Sequence, residues 1–190
     1  MRYLRGVRLR WRLGVLRGWL WRPFWWIQGL LGGPRVRVGR RFSLQGQLVL
    51  RGPGTIILGD DVIVDSITTL YTHTVDAVVQ VGHRSFINGA RVGCFMRVEV
   101  GEDGLLGDCR IMDSDFHPIH KRRRQTHEPV LCAPVKIGTN VWLGADSAIL
   151  KGVRIGRDSV IAMGAVVVKD VPEGRIQGGN PARDLGPVPD

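Results

Sequence analysis

The stretch IGTNVW LGADSA ILKGVR IGRDSV IAMGAV VVKDVP, residues 137–172, decides the architecture. Every sixth residue is aliphatic: Ile137, Leu143, Ile149, Ile155, Ile161 and Val167. Four positions after each of these stands a small or β-branched residue: Val141, Ser147, Val153, Ser159, Ala165 and Val171. This period fits neither a helix nor a simple strand alternation closed by hairpin turns. It fits a solenoid of short strands, each offering one large inward side chain before a turn swings the chain to the next face of a prism. Successive coils then stack at the ~4.8 Å spacing of hydrogen-bonded strands, so like residues form inward ladders. Glycine, asparagine and aspartate occupy the turns because tight or left-handed backbone suits them.

Toward the N-terminus the rhythm recurs with changes of phase, at Val38, Leu44 and Leu50, at Leu58, Val64 and Leu70, at Val81 and Ile87, and at Val100, Leu106 and Met112. The largest break separates Met112 from Ile137. Within it, residues 117–134 carry prolines and basic residues without a repeat, and are expected to loop out of the prism. Excursions of this kind are where chemistry tends to be placed. The chain is thus expected to divide into a basic, tryptophan-rich segment over 1–35, an all-β parallel β-helix over 36–185 with its loop at 117–134, and a tail at 186–190.

Composition agrees with one catalytic domain: 190 residues, 44% hydrophobic, are enough for a core. The 26 glycines follow no collagen-like period and so indicate recurrent tight turns. Cys94, Cys109 and Cys132 form no C-x-x-C pair, which points to a reducing compartment and away from structural zinc. The net charge of +10 is lopsided. Residues 1–59 hold twelve arginines and no acidic residue, whereas the remainder has 15 basic and 17 acidic residues. Basicity therefore belongs to the N-terminal segment, and a nucleic-acid partner is not expected for the domain. Residues 1–33 combine seven arginines with five tryptophans, and Arg17 and Arg22 interrupt the apolar run, so neither a spanning helix nor a secretory signal is expected. Leu9, Leu13, Leu16 and Leu20 share one helical face, with Trp11, Val15 and Trp21 off it. Two readings stay open: peripheral contact with an anionic membrane on its cytoplasmic side, or a helix that caps the first coil.

With the repeat read, DSDFHPI (113–119), IGTNVWLGADSAILKGVRIG (137–156) and VVVKDVPEGRIQGGNPAR (166–183) resemble the hexapeptide-repeat O-acetyltransferases typified by maltose and galactoside acetyltransferases. The resemblance covers roughly residues 81–183 and implies a left-handed coil, a homotrimer with sites in the clefts between prisms, and acetyl-CoA as acyl donor with no metal. It maps the catalytic base onto His117, histidine being the residue type suited to taking a proton from a hydroxyl near neutral pH. It maps the active-site asparagine onto Asn88 in SFINGA. Asp115 is a candidate to orient the His117 ring or meet the acceptor, whereas Asp113 reads better as a turn residue. The resemblance sets the thioester near Trp142, Gly144 and the N–H of Ala145, the pantetheine arm past Met163 and Val168, and the CoA phosphates near Lys169 and Arg183.

One departure limits the acceptor. Sugar acetyltransferases of this type carry an acidic residue on the coil after the asparagine, and ARVGCFMRVEV (90–100) offers only Glu99, out of register. The basic, aromatic start favours a saccharide or glycolipid of an envelope or exopolysaccharide route over a free sugar. Serine or antibiotic acetylation is the alternative within the class. A γ-carbonic-anhydrase-like zinc enzyme would need three ligands from His83, His117 and His120 or His127, whose spacing does not resemble that family's pattern. A non-catalytic scaffold is disfavoured by the joint presence of Asn88, His117, Trp142 and Lys169. The basic run Lys121 to Arg124 reads either as a guide for an anionic acceptor or, the favoured reading, as a solvated loop face, and His73 and His83 read as candidates for subunit contacts.

Overall fold

The six-residue period translates into three stacked parallel ladders. The computed structural model describes residues 2–125 and 127–190, with side chains described from residue 9 onward. The first face of the prism stacks Arg35–Val38, Thr55–Leu58, Val78–Val81, Arg97–Val100, Val135–Ile137 and Arg154–Ile155. The second begins with Ser43–Leu44 and Ile63–Val64, and continues through Phe86 and Leu105 to Trp142–Leu143, Val160–Ile161 and Arg175–Gly178. The third is built on Leu48–Arg51 and Thr68–Thr72. The long strands Phe86–Cys94 and Leu105–Met112 turn onto it, followed by Ala148–Ile149 and Val166–Val167. The expected left-handed parallel β-helix with an N-terminal helical segment is the fold found.

All twelve inward positions read from residues 137–172 are buried, including the small ones, Ser147, Ser159 and Ala165. Buried hydroxyls are tolerated where a backbone acceptor is near: Ser159 Oγ donates to the Pro172 carbonyl at 2.9 Å. Among the earlier inward positions only Val38 and Met112 are less than fully buried. One corner carries a left-handed residue in successive coils: Arg41, Asp61, Arg84, Asp103, Asn140 and Asp158 all have φ between 51° and 59°. That backbone is unfavourable for residues with a Cβ. Here it is pinned by coil-to-coil contacts: Arg41 with Asp61, Arg84 with Asp103 at 2.8 Å, and Asn140 Nδ2 with Asp158 at 2.9 Å.

The helix Arg2–Leu30 lies across the open end of the first coil. Its contact row is Trp11, Gly14, Val15, Gly18 and Trp25, the face away from the leucines. Trp25 packs edge-on against Phe42 at 6.0 Å, and Ser43 Oγ donates to the Trp11 carbonyl at 3.2 Å. The capping reading thus describes one side of the helix. Its leucine row faces outward.

Candidate active site

Between Met112 and Val135 the chain leaves the prism, and its neck is tied in two places. Ser114 and Cys132 form an antiparallel bridge, and Ala133 N–H donates to the Asp113 carbonyl at 2.8 Å. Asp113, expected to be a turn residue, is instead wholly buried. Its carboxylate accepts from the backbone N–H groups of Phe95 at 2.7 Å, Met96 at 2.7 Å and Arg97 at 2.8 Å. Three converging amide donors compensate the desolvation of a carboxylate, which a solvated turn would not require. The loop's root is thereby fixed to the coil beneath it.

Phe116 takes a left-handed φ of 61°, and a Cβ built on Gly93 would meet its ring. The ring joins Tyr71, His73 and Phe95, at centroid separations of 6.4, 5.2 and 6.1 Å. His73 stacks on Phe95 at 4.2 Å. Rather than standing free for a subunit contact, His73 forms part of the floor beneath the loop. Burial holds its pKa below the ordinary histidine value against the opposing charge of Asp113. His117 follows directly from Phe116. Its N–H donates to the Asp115 carbonyl at 2.7 Å, and its exposed ring makes no hydrogen bond among the described residues.

Asp115 meets His117 through that carbonyl and not through its carboxylate. The carboxylate Oδ1 accepts from Lys151 Nζ at 2.6 Å, and Oδ2 is buried without a partner among the described residues. Sequence reasoning missed Lys151, yet the repeat carried the signal. Lys151 in ILKGVR and Lys169 in VVKDVP fill the same place one coil apart, following strands paired Ile149 to Val167. One edge of the prism therefore carries the His117 loop, Lys151, Val168 and Lys169.

The other candidates gather on the neighbouring edge. Asn88 is in register with Gly107, and Leu106 with Leu143, so Asn88, Gly107 and Gly144 follow one another along the axis. Met163 lies on the next coil, against Gly144, and is among the most exposed apolar side chains of the prism. Trp142 projects from the strand entering this edge and is half exposed. Arg183 is paired with Gly178 at its C-terminal end. The Ala145 N–H and the Asn88 side chain have no hydrogen-bond partner among the described residues. Asn88 precedes Gly93, the residue under Phe116, by five residues of one continuous strand, a separation of roughly 15 Å. One prism thus divides the candidates between two edges of a single face.

The remaining titratable groups do not extend the site. His83 Nδ1 accepts from Asp60 N–H at 2.9 Å, and His120 Nδ1 from Arg122 N–H at 3.0 Å. Among the described residues no three His, Cys, Asp or Glu side chains stand together in a way that could hold a metal ion. Cys94 and Cys109 are buried free thiols, and burial pushes the Cys109 pKa up to about 12.

Fold, period and edge residues define a hexapeptide-repeat protein, and the family described as the hexapeptide repeat of succinyl-transferase matches residues 134–169. The galactoside O-acetyltransferase of Escherichia coli K12 is 34% identical over 93 residues, 49% of this chain and 45% of that protein. A hexapeptide-repeat acetyltransferase of Vibrio cholerae O1 biovar eltor, solved with acetyl coenzyme A, superposes with a TM-score of 0.56 at 26% identity, covering 83% of this chain and 70% of that one. The polySia-specific acetyltransferase NeuO superposes with a TM-score of 0.54 at 25% identity, over 82% and 83% of the two chains. In fold and repeat the chain resembles these hexapeptide-repeat acetyltransferases. It spans less than half the length of the curated relatives it matches.

Proposed function

We propose that the protein moves an acetyl group from acetyl-CoA to a hydroxyl of a saccharide, with His117 as general base. The observation that carries this reading is an exposed, unpaired imidazole on a loop whose root is clamped by Asp113 and whose base is held by Lys151 and Asp115. A base must be free to meet its proton while its backbone stays fixed. The imidazole takes the hydroxyl proton as the oxygen bonds to the thioester carbonyl carbon. The resulting oxyanion is met by the Ala145 N–H, a donor worth ~3 kcal/mol in comparable sites. Collapse breaks the carbon–sulfur bond, and the imidazolium returns its proton to the departing CoA thiolate.

In this reading Asn88 positions the acceptor, Trp142 and Met163 offer apolar surface to the pantetheine arm, and Lys169 and Arg183 meet the CoA phosphates. Because His117 and Asn88 stand at opposite edges of one face, they can serve one hydroxyl only if neighbouring copies each supply one of them. A closed ring of three prisms satisfies that demand, since each cleft then brings one edge of either kind together. The saccharide acceptor is supported by the galactoside and polySia-specific relatives, and the unpaired thiols fit a cytoplasmic site of action.

The test is incubation of purified protein with labelled acetyl-CoA and fractionated envelope glycans, comparing wild type with His117→Ala. Loss of transfer by about 100-fold or more is expected for removal of a general base. Equal transfer by the variant would refute the role of His117.

A further inference from the structure

The helix Arg2–Leu30 presents an apolar row that no described residue covers. Leu9, Leu13, Leu16, Leu20, Phe24 and Ile27 recur at intervals of three and four residues, so they form one stripe along the helix. They are 49–59% exposed. The opposite row, from Trp11 through Gly14 and Gly18 to Trp25, is the one that packs on the first coil. The stripe is therefore turned away from the prism. Trp19 and Trp26 flank it and are also exposed.

The helix itself carries only basic charge, and of its arginines Arg10 is paired with Asp65 of the prism. No acidic residue occurs before Asp60, and Arg12 lies on the outward side without an ion-pair partner among the described residues. Arg17 sits on the margin and Arg22 on the side of the contact row, their guanidiniums donating to the carbonyls of Gln45 and Gly39. Those bonds to uncharged acceptors fix the side chains and leave their positive charge. A stripe of leucine and phenylalanine, tryptophan at its border and unneutralised arginine beside it complement an anionic bilayer surface: acyl chains below, phosphates at the level of the guanidiniums. The helix is not long and apolar enough to cross.

We propose that this helix lies flat on an anionic lipid surface, seating the prism against the membrane by its first coil. A symmetric contact between two copies would bring arginine against arginine with no carboxylate on either helix, which disfavours a second copy as occupant. The placement is independent of the acetyl-transfer reading, since it uses none of the residues on the two catalytic edges.

The experiment is co-sedimentation of the full chain with vesicles of phosphatidylcholine alone or mixed with phosphatidylglycerol, at low and high salt. The comparison is Leu13→Asn/Leu16→Asn/Leu20→Asn, which alters solvent-facing side chains only and whose melting midpoint checks the fold. Wild type is expected to pellet with the mixed vesicles, less so at high salt, with its tryptophan emission shifted to the blue. The triple variant is expected to partition at least about 100-fold more weakly, as three leucines lose their burial in the acyl region. Wild type left in the supernatant, or a folded variant that binds equally, overturns the proposal. So does an assembly mass that falls in the variant while neither protein binds vesicles, because a second copy then occupies the stripe.

Discussion

Asp113 is a fully buried carboxylate whose oxygens take three backbone N–H groups, and its replacement tests how firmly the His117 loop is rooted. In Asp113→Asn the amide nitrogen has to face at least one of those donors, leaving buried groups unsatisfied. The expected loss is about 2–4 kcal/mol of stability, read from urea unfolding. A near-neutral variant would mean that water or a shift of residues 94–97 replaces the carboxylate. His73 gives a pH-dependent check. Burial depresses its folded-state pKa, so as pH falls through the unfolded-state value of ~6.5 the unfolded chain binds protons that the native state refuses. Stability is then present above that pH and lost below it. His73→Phe keeps a ring against Phe95 and removes the titration, so the wild type should lose more of its urea midpoint than the variant between about pH 7.5 and 5.5. Parallel losses would remove His73 from that role. Short motifs singled out His117 and Asn88 as candidates, the residues on which the proposed reaction rests. The Asp113 carboxylate and the His73 stack on Phe95 use partners 16 or more positions away in the chain, and nothing in their immediate neighbours shows that.

At the scale of elements, the solenoid was legible because its inward positions repeat in the sequence itself, and every one read from residues 137–172 is buried. The N-terminal helix was half legible for the opposite reason. Both of its faces are apolar, one for the prism and one turned outward, so its pattern lacks the polar side that marks an amphipathic helix. The glycines decide which face packs. A Cβ on Gly18 would stand 2.7 Å from the Phe42 carbonyl oxygen and 2.8 Å from its Cδ1. Gly18→Ala gains about 1 kcal/mol in helix propensity. It also drives the helix off a strand end whose backbone cannot yield, an overpacking loss of about 1–3 kcal/mol. The second effect is the larger, so the melting midpoint should fall and the Trp25 emission shift to the red. An unchanged emission with a raised midpoint would show that the helix slides to accommodate the methyl group.

For the whole molecule, the proposed reaction makes a demand that no single prism can meet, because its candidate residues are divided between two edges. Asn88, Gly144, Ala145 and Met163 follow one edge, and the His117 loop, Lys151, Val168 and Lys169 the other. The intervening face, roughly 15 Å wide, exceeds the ~3 Å over which a base must reach its proton. Complementation between crippled chains tests this directly. His117→Ala and Asn88→Ala are each expected to be nearly inactive alone. When the two are dissociated, mixed in equal amounts and reassembled, a cleft is intact only if one neighbour supplies the asparagine and the other the histidine. Random assembly into closed rings yields that arrangement in about a quarter of clefts, so about a quarter of wild-type turnover should return. Sites confined to one chain would leave the mixture as inactive as its components, because every chain in it lacks one of the two groups. Recovery that disappears when the variants are mixed without dissociation would locate the exchange at the interface between copies, where the two edges meet.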